Sequence, residues 1–256
     1  MSANIEPYAG KDLGENTFTC TAKMVDDYCV GLAVDPSRYE DTSAWGEPAA
    51  PAMIVGDVDG GFNGARFSNA FGNLWMRQEW EFNQPIFCDR EYRRTSRVMD
   101  VYEWRNRTVV KQLIELFDDS GEPVVRGTHH QSYLLSQTSG KVALRDPTKK
   151  EGVRKFDIPE GERIDSVERA IDLEMCGVFF HGDKNYHTDK TASEELGFEE
   201  VVVGGKMTMS LIGDMLESRF GEGYYKDGAL DVKFTNITWP NDNVTAHGVI
   251  THREAG

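Results

Sequence analysis

No apolar run in this sequence approaches the ~20 residues that a helix needs to cross a bilayer. The opening stretch, Met1 to Gly14, lacks a basic patch followed by an apolar segment, so it does not read as a secretion signal. Cysteine is scarce: Cys20, Cys29, Cys88 and Cys176 are the four, and none forms a CxxC pair. That spacing argues against a disulfide framework and against a zinc site, and for reduced thiols in a cytoplasmic chain with no bound metal. Positive charge is in deficit, with 28 Lys and Arg against 43 Asp and Glu and a formal net charge of −15. Nucleic acid and an anionic membrane are therefore poor partners. An anionic substrate would need a local basic pocket set against that global field.

What is present suits a packed domain. The 256 residues are long enough for a sizeable core, and 39% are apolar and 11% aromatic. The chain divides around Ser139 to Glu162, where "SGK", "DPTKKEG" and "IPEGE" are charged and turn-rich. Before it, Asn16 to Tyr28 predicts a strand leading into a short helix, and Asp35 to Pro51 predicts a loop. Val98 to Arg105, Thr108 to Phe117 and Val124 to Leu135 predict a meander of strands, with Asp118-Asp119-Ser120-Gly121 as a hairpin turn.

The second half is more regular. Thr188 or Asp189 can cap a short helix ending near Leu196, with Gly197 just past it. Val201-Val202-Val203 and Gly204-Gly205 lead into a longer helix over Lys206 to Phe220. Met207, Leu211 and Met215, with Ile212, Leu216 and Phe220, give it a broad apolar surface and predict burial. The Met series reads as core packing. Leu230, Val232 and Phe234 alternate as a strand, Pro240 to Asn243 turns the chain, and Val244 to Ile250 alternates in a returning strand. A sheet wrapped around one buried helix is the economical way to cover such an element.

The stretches "NYHTDKTASEELGF", "VVVGGKMTMS" and "LDVKFTNITWPNDNVTAHG" together resemble the MaoC-like dehydratases, which include R-specific enoyl-CoA hydratases. "VDDYCVGLAVDPSRY" and "VYEWRNRTVVKQLIELFDDSGEPVVRGTHHQSYL" resemble the N-terminal repeat of two-repeat members. The resemblance implies an α+β double hot-dog, each half an antiparallel sheet wrapped around a long helix. It implies a degenerate, substrate-accommodating N-terminal hot-dog over 1–140, a linker over 141–162, and a catalytic hot-dog over 163–256. A homodimer acting on an acyl-CoA, with CoA as part of the substrate and no separate cofactor, is the expected assembly.

The family motif runs Gly-Asp-x-Asn-Pro-(Leu/Ile/Val)-His. Here Gly182-Asp183-Lys184-Asn185-Tyr186-His187 lacks the Pro and is one residue shorter between Asp and His. One alignment keeps Asp183 and Asn185 and deletes a residue before His187. The other keeps "HTD" in register and leaves Asp183 off the catalytic position.

Adding water to a 2-enoyl thioester requires a base for water, an acid for the α-carbon, and donors for the carbonyl oxygen that becomes an enolate. The resemblance implies His187 and Asp183 for the first two tasks, Gly205 and Gly204 for the third, and Asn185 as an orienting residue. The free N–H groups of a helix start suit the developing charge. Arg93 and Arg94, within the cluster Arg90 to Arg97, are candidates for CoA phosphates or a solvated run. His129 and His130 are adjacent in a strand and face opposite sides, which disfavours a metal pair. His181, His247 and His252 read as solvated or structural. Two other outcomes stay open: an acyl-CoA thioesterase, and a non-catalytic partner subunit. The resemblance to two-repeat members, whose N-terminal half makes room for bulkier substrates, implies an acyl group larger than crotonyl: branched, cyclic or carboxylated.

Overall fold

A computed structural model describes residues 6–40, 44–144 and 158–254. The expected linker over 141–162 falls largely outside these residues, and Glu162 already opens a strand.

The chain begins with strand β1 (Asp12–Thr19) and helix α1 (Ala22–Leu32). Thr21 caps α1 by accepting from the Met24 N–H. Strands β2 (Leu74–Phe82), β3 (Glu91–Trp104), β4 (Arg107–Phe117) and β5 (Pro123–Tyr133) follow. The expected strand at Val98 begins seven residues earlier, so Arg93, Arg94 and Arg97 sit inside β3 and Arg90 just before it. The second half holds β6 (Glu162–Ile171), α2 (Leu173–Phe179), α3 (Lys190–Glu195), α4 (Gly205–Phe220), α5 (Glu222–Asp227), β7 (Ala229–Lys233) and β8 (Asp242–Ile250).

Among the described residues the strands form two antiparallel sheets. One has six strands in the order β1-β3-β4-β5-β2-β7, and the other pairs β6 with β8. The returning strand expected after β7 does not pair back onto it. Instead β7 joins β2 of the first half, with Trp80 opposite Leu230, while β8 joins β6. This cross-half pairing sets residues from both halves side by side.

Helices α1 and α4 pack with the Ala52–Asp57 turn of 3₁₀ helix into one core, including Tyr28, Leu32, Met53, Ile54, Trp80, Leu116, Met207 and Leu211. The stripe Met207, Leu211, Met215 is buried as its spacing requires, whereas Phe220 at the helix end is exposed. A carboxylate enters this core with its partners in place. The buried Glu217 carboxylate accepts from the Tyr39 and Tyr225 hydroxyls, at 3.0 and 2.9 Å, and from the Ala52 N–H at 2.9 Å. Burial pushes its pKa up to about 7 against those donors. No helix among the described residues is long and apolar enough to cross a membrane.

Candidate active site

The loop between α2 and α3 carries the segment singled out above. The chain leaves α2 through His181 and Gly182, both with positive φ (59° and 79°), and turns sharply. The Asp183 carbonyl then accepts from Thr188 Oγ1 at 2.7 Å and from Asn185 Nδ2 at 3.3 Å. Asn185 Oδ1 accepts the His187 N–H at 2.8 Å, an Asx turn that fixes the histidine backbone. Asp189 caps α3 by accepting from Ala192 N–H at 2.9 Å.

His187 is thereby held against the strand-like run Val201 to Val203. Its Nδ1 lies 2.7 Å from the Val202 carbonyl oxygen. A carbonyl can only accept, so Nδ1 carries the proton and Nε2 is left as a lone pair. The ring stacks on Phe180, with centroids 4.7 Å apart, and meets Tyr186 at 3.8 Å. Burial among these rings lowers the His187 pKa to about 4, with Arg66 and Lys206 adding to the effect and the Val202 hydrogen bond opposing it. The result is a neutral imidazole whose Nε2 lone pair has no protein partner among the described residues.

His187 lines a cavity of about 370 Å³ that also touches Asn185, Gly204, Gly205, Lys206, Phe234, Trp75 and His129. That volume suits a small-molecule site. Gly205 opens α4 and Gly204 precedes it as the cap, with no side chain to occupy the first-turn N–H groups. The two glycines are spatially required. A Cβ on Gly204 would lie 2.3 Å from Phe180 Cζ, and one on Gly205 would lie 3.1 Å from both Trp75 Cε3 and Phe234 Cε1. His187, Asn185, Gly204 and Gly205 are thus brought together.

Asp183 is not. Its side chain is exposed and does not line the cavity, because the shorter loop uses its carbonyl to close the turn and aims the carboxylate outward. The structure therefore does not bring Asp183 to the cavity beside His187. Arg93 and Arg94 also lie elsewhere, in β3. Arg93 covers the Phe117 ring and pairs with Glu15 at 3.6 Å. Arg94 donates to Asn16 and to the Val58 carbonyl. Their role as phosphate contacts finds no support in this geometry.

Several cavity residues come from the first half and escaped the sequence reading. His129, Gln131 and Tyr133 alternate along β5, so they share one face and all line the cavity. His130 points the other way, toward the Tyr102 hydroxyl at 3.1 Å. His129 stacks on Trp75 at 4.7 Å and its Nδ1 lies 2.8 Å from Asp59 Oδ2. The period-two pattern of "HHQSY" was visible; that Asp59 and Arg66 would meet it from a loop was not. Lys206, one residue into α4, reaches Asp57. Asp57 in turn faces His181 Nε2 at 3.6 Å, and His181 Nδ1 lies 2.7 Å from Asp27. The nearby Asp57 carboxylate, then the hydrogen bond to Asp27, raises the His181 pKa against its burial. Burial pushes the Asp57 pKa up, but Lys206 and His181 outweigh it and hold it below the usual carboxylate value.

Comparison with known proteins agrees with this architecture. Residues 159–256 match the family described as MaoC like domain. A MaoC-like dehydratase from Phytophthora capsici superposes with a TM-score of 0.66 at 18% identity, over 92% of this chain and 84% of that one. The full-length peroxisomal multifunctional enzyme type 2 from Drosophila melanogaster gives a TM-score of 0.64 at 20% identity over 91% of this chain, which spans only 42% of that enzyme. A Mycobacterium tuberculosis protein described as having a double hot-dog fold gives 0.63 at 12% identity, over 94% and 85% of the two chains. Identities this low establish the fold: this chain is an α+β double hot-dog. No curated protein matches it by sequence.

Proposed function

We propose that this chain, which carries a MaoC-like domain over residues 159–256, is a hydro-lyase that adds water to a 2-enoyl-CoA or removes it from a 3-hydroxyacyl-CoA. The observation that carries the reading is the neutral His187. Its Nδ1–H is committed to the Val202 carbonyl, and its Nε2 lone pair is left free in a cavity floored by the start of α4.

In the hydration direction His187 Nε2 takes a proton from water as the water oxygen bonds to the β-carbon. The C=C electrons shift onto the thioester carbonyl, and the enolate oxygen is met by the first-turn N–H groups at Gly205. The imidazolium then returns its proton to the α-carbon, and water has been added across the double bond with nothing left over. One base serves both proton transfers, as the outward carboxylate of Asp183 demands. Asn185 acts by holding the His187 backbone. The rings of Phe180, Tyr186 and Trp75 keep the site dry, which strengthens the contact with the enolate.

A second reading follows from the same single base. Water activated by His187 and directed at the thioester carbonyl would release CoA, making the chain a thioesterase. The deciding experiment incubates the chain with a short trans-2-enoyl-CoA and follows enoyl absorbance and free thiol together. Loss of the enoyl chromophore without thiol release is the result expected of a hydratase. Stoichiometric thiol would establish the thioesterase, and neither change would contradict both.

A further inference from the structure

The cavity wall contains five residues that can carry charge near neutral pH: Asp59, Arg66, His129, His187 and Lys206. Their charges do not all remain available. Lys206 is matched by Asp57, and His187 is neutral for the reasons given above. The state of His129 follows from a chain of hydrogen bonds. Asn73 Nδ2 donates to the Ala70 carbonyl at 2.8 Å, which turns its Oδ1 toward Gln131 Nε2 at 2.8 Å. Gln131 Oε1 therefore faces His129 Nε2, at 3.0 Å, and can only accept. His129 Nε2 must donate, and its Nδ1 also shares a proton with the Asp59 carboxylate at 2.8 Å. The Asp59 carboxylate is thus already engaged by His129.

Arg66 is what remains. Its guanidinium is exposed, lines the cavity and has no ion-pair or hydrogen-bond partner among the described residues. Elsewhere in this acidic chain, arginines such as Arg38, Arg77, Arg90, Arg126 and Arg219 sit against carboxylates. A second group without a partner lies on the same wall. The Tyr133 hydroxyl is fully buried and makes no hydrogen bond, although its ring is fixed edge-on against Phe67 with centroids 5.2 Å apart. An unsatisfied buried donor carries a penalty that a ligand oxygen would relieve. Arg66, Tyr133, His129 and Asp59 also border a smaller recess that branches from this wall.

We propose that Arg66 and Tyr133 form a subsite for a carboxylate carried by the acyl chain, so that the preferred substrates are acyl-CoA thioesters of dicarboxylic acids. The proposal rests on the acyl-CoA reading of the same cavity. Arg66 supplies the uncompensated positive charge and two parallel donors for a carboxylate, and Tyr133 supplies a third. His129 holds the Asp59 carboxylate in a hydrogen bond and so stands between it and an incoming anion. Trp75, stacked between His129 and Phe234 and packed at Gly205, separates this polar wall from the thioester floor.

Calorimetric titration with two saturated acyl-CoAs, which cannot be hydrated, tests this independently of turnover. One acyl chain ends in a carboxylate and the other, of equal length, in its methyl ester. The wild-type chain is expected to bind the carboxylate form roughly tenfold or more tightly, as hydrogen bonds to a charged group imply. Arg66→Gln should bring the ratio near one, and Tyr133→Phe should reduce it severalfold. Thermal melts confirm that both variants are folded. A wild-type ratio at or below one overturns the subsite while leaving the thioester site standing. An Arg66→Gln loss that is equal for both ligands also overturns it, because the guanidinium then serves the CoA phosphates. Failure of both ligands to bind removes the thioester reading and the subsite together.

Discussion

A methyl group added at Gly204 should disable this site through a ring it does not share with substrate. The Gly204 backbone, at φ −62° and ψ 133°, is open to any residue, so strain in the main chain plays no part. Space is the constraint: the new Cβ would stand 2.3 Å from Phe180 Cζ and 2.8 Å from Cε2, where ordinary contacts begin near 3.4 Å. The ring must retreat by about 1 Å, and it is the ring on which His187 stacks. Overpacking of this kind costs ~1–3 kcal/mol in stability. A displacement of ~1 Å at a reacting group costs on the order of 10²-fold in rate. Gly205→Ala needs its neighbours to give only a few tenths of an ångström, since its contacts are 3.1 Å, so it should lose less stability. The assay is hydration of a trans-2-enoyl-CoA beside a thermal melt, with Phe180→Leu added to Gly204→Ala as the relief variant. Full activity and an unchanged melt in Gly204→Ala would refute the claim that Phe180 packing positions the base. So would a relief variant that recovers nothing.

Four further outcomes follow from the same geometry. Because the His187 pKa is lowered to about 4, the base stays competent in mildly acidic solution. The acid limb of kcat/KM should lie near that pH rather than near 6.5, provided the fold survives, and a limb near 6.5 would contradict the buried neutral ring. The same shift sets a stability signature. Below about pH 6.5 the unfolded chain takes up the proton that the folded ring refuses, so His187 destabilises the fold increasingly until about pH 4. The effect approaches ~3.5 kcal/mol, since the ordinary 6.5 falls to about 4 and each pKa unit is worth ~1.4 kcal/mol. Denaturant unfolding of wild type and His187→Gln should therefore diverge in favour of the variant as pH falls through that window. Glu217→Ala leaves the Tyr39, Tyr225 and Ala52 donors unmatched in the core and should cost ~2–4 kcal/mol, read as a lower melting temperature. Asp183→Asn should change the hydration rate less than about threefold, because an exposed loop carboxylate outside the cavity has little to contribute.

Much of the fold was legible because it is written in period. Met207, Leu211 and Met215 declared the buried face of α4, and the alternation of β4, β5, β7 and β8 declared strands. Strand partners were not legible. Nothing local in β7 says that it adds to β2 rather than to β8, and pairing at that distance is decided by the whole core. Strand β6 was missed because its two faces are both largely polar. In the site, His187 and the glycines were readable from motif and position. The outward turn of Asp183 was not, because it depends on how a loop one residue short satisfies its own carbonyl. The first-half wall of the cavity was hidden for a similar reason: Asp59 and Arg66 lie in a segment without periodicity and meet β5 only in three dimensions.

The central claim is that the Nε2 lone pair of His187 is the base. It is tested most directly by the hydration rate of His187→Gln on a trans-2-enoyl-CoA, with folding verified by its melt. The account predicts a loss of roughly 10²- to 10⁴-fold in kcat, the range for a general acid–base residue. Retention of wild-type kcat within about threefold in the folded variant would contradict it, since general base catalysis is worth at least ~10²-fold.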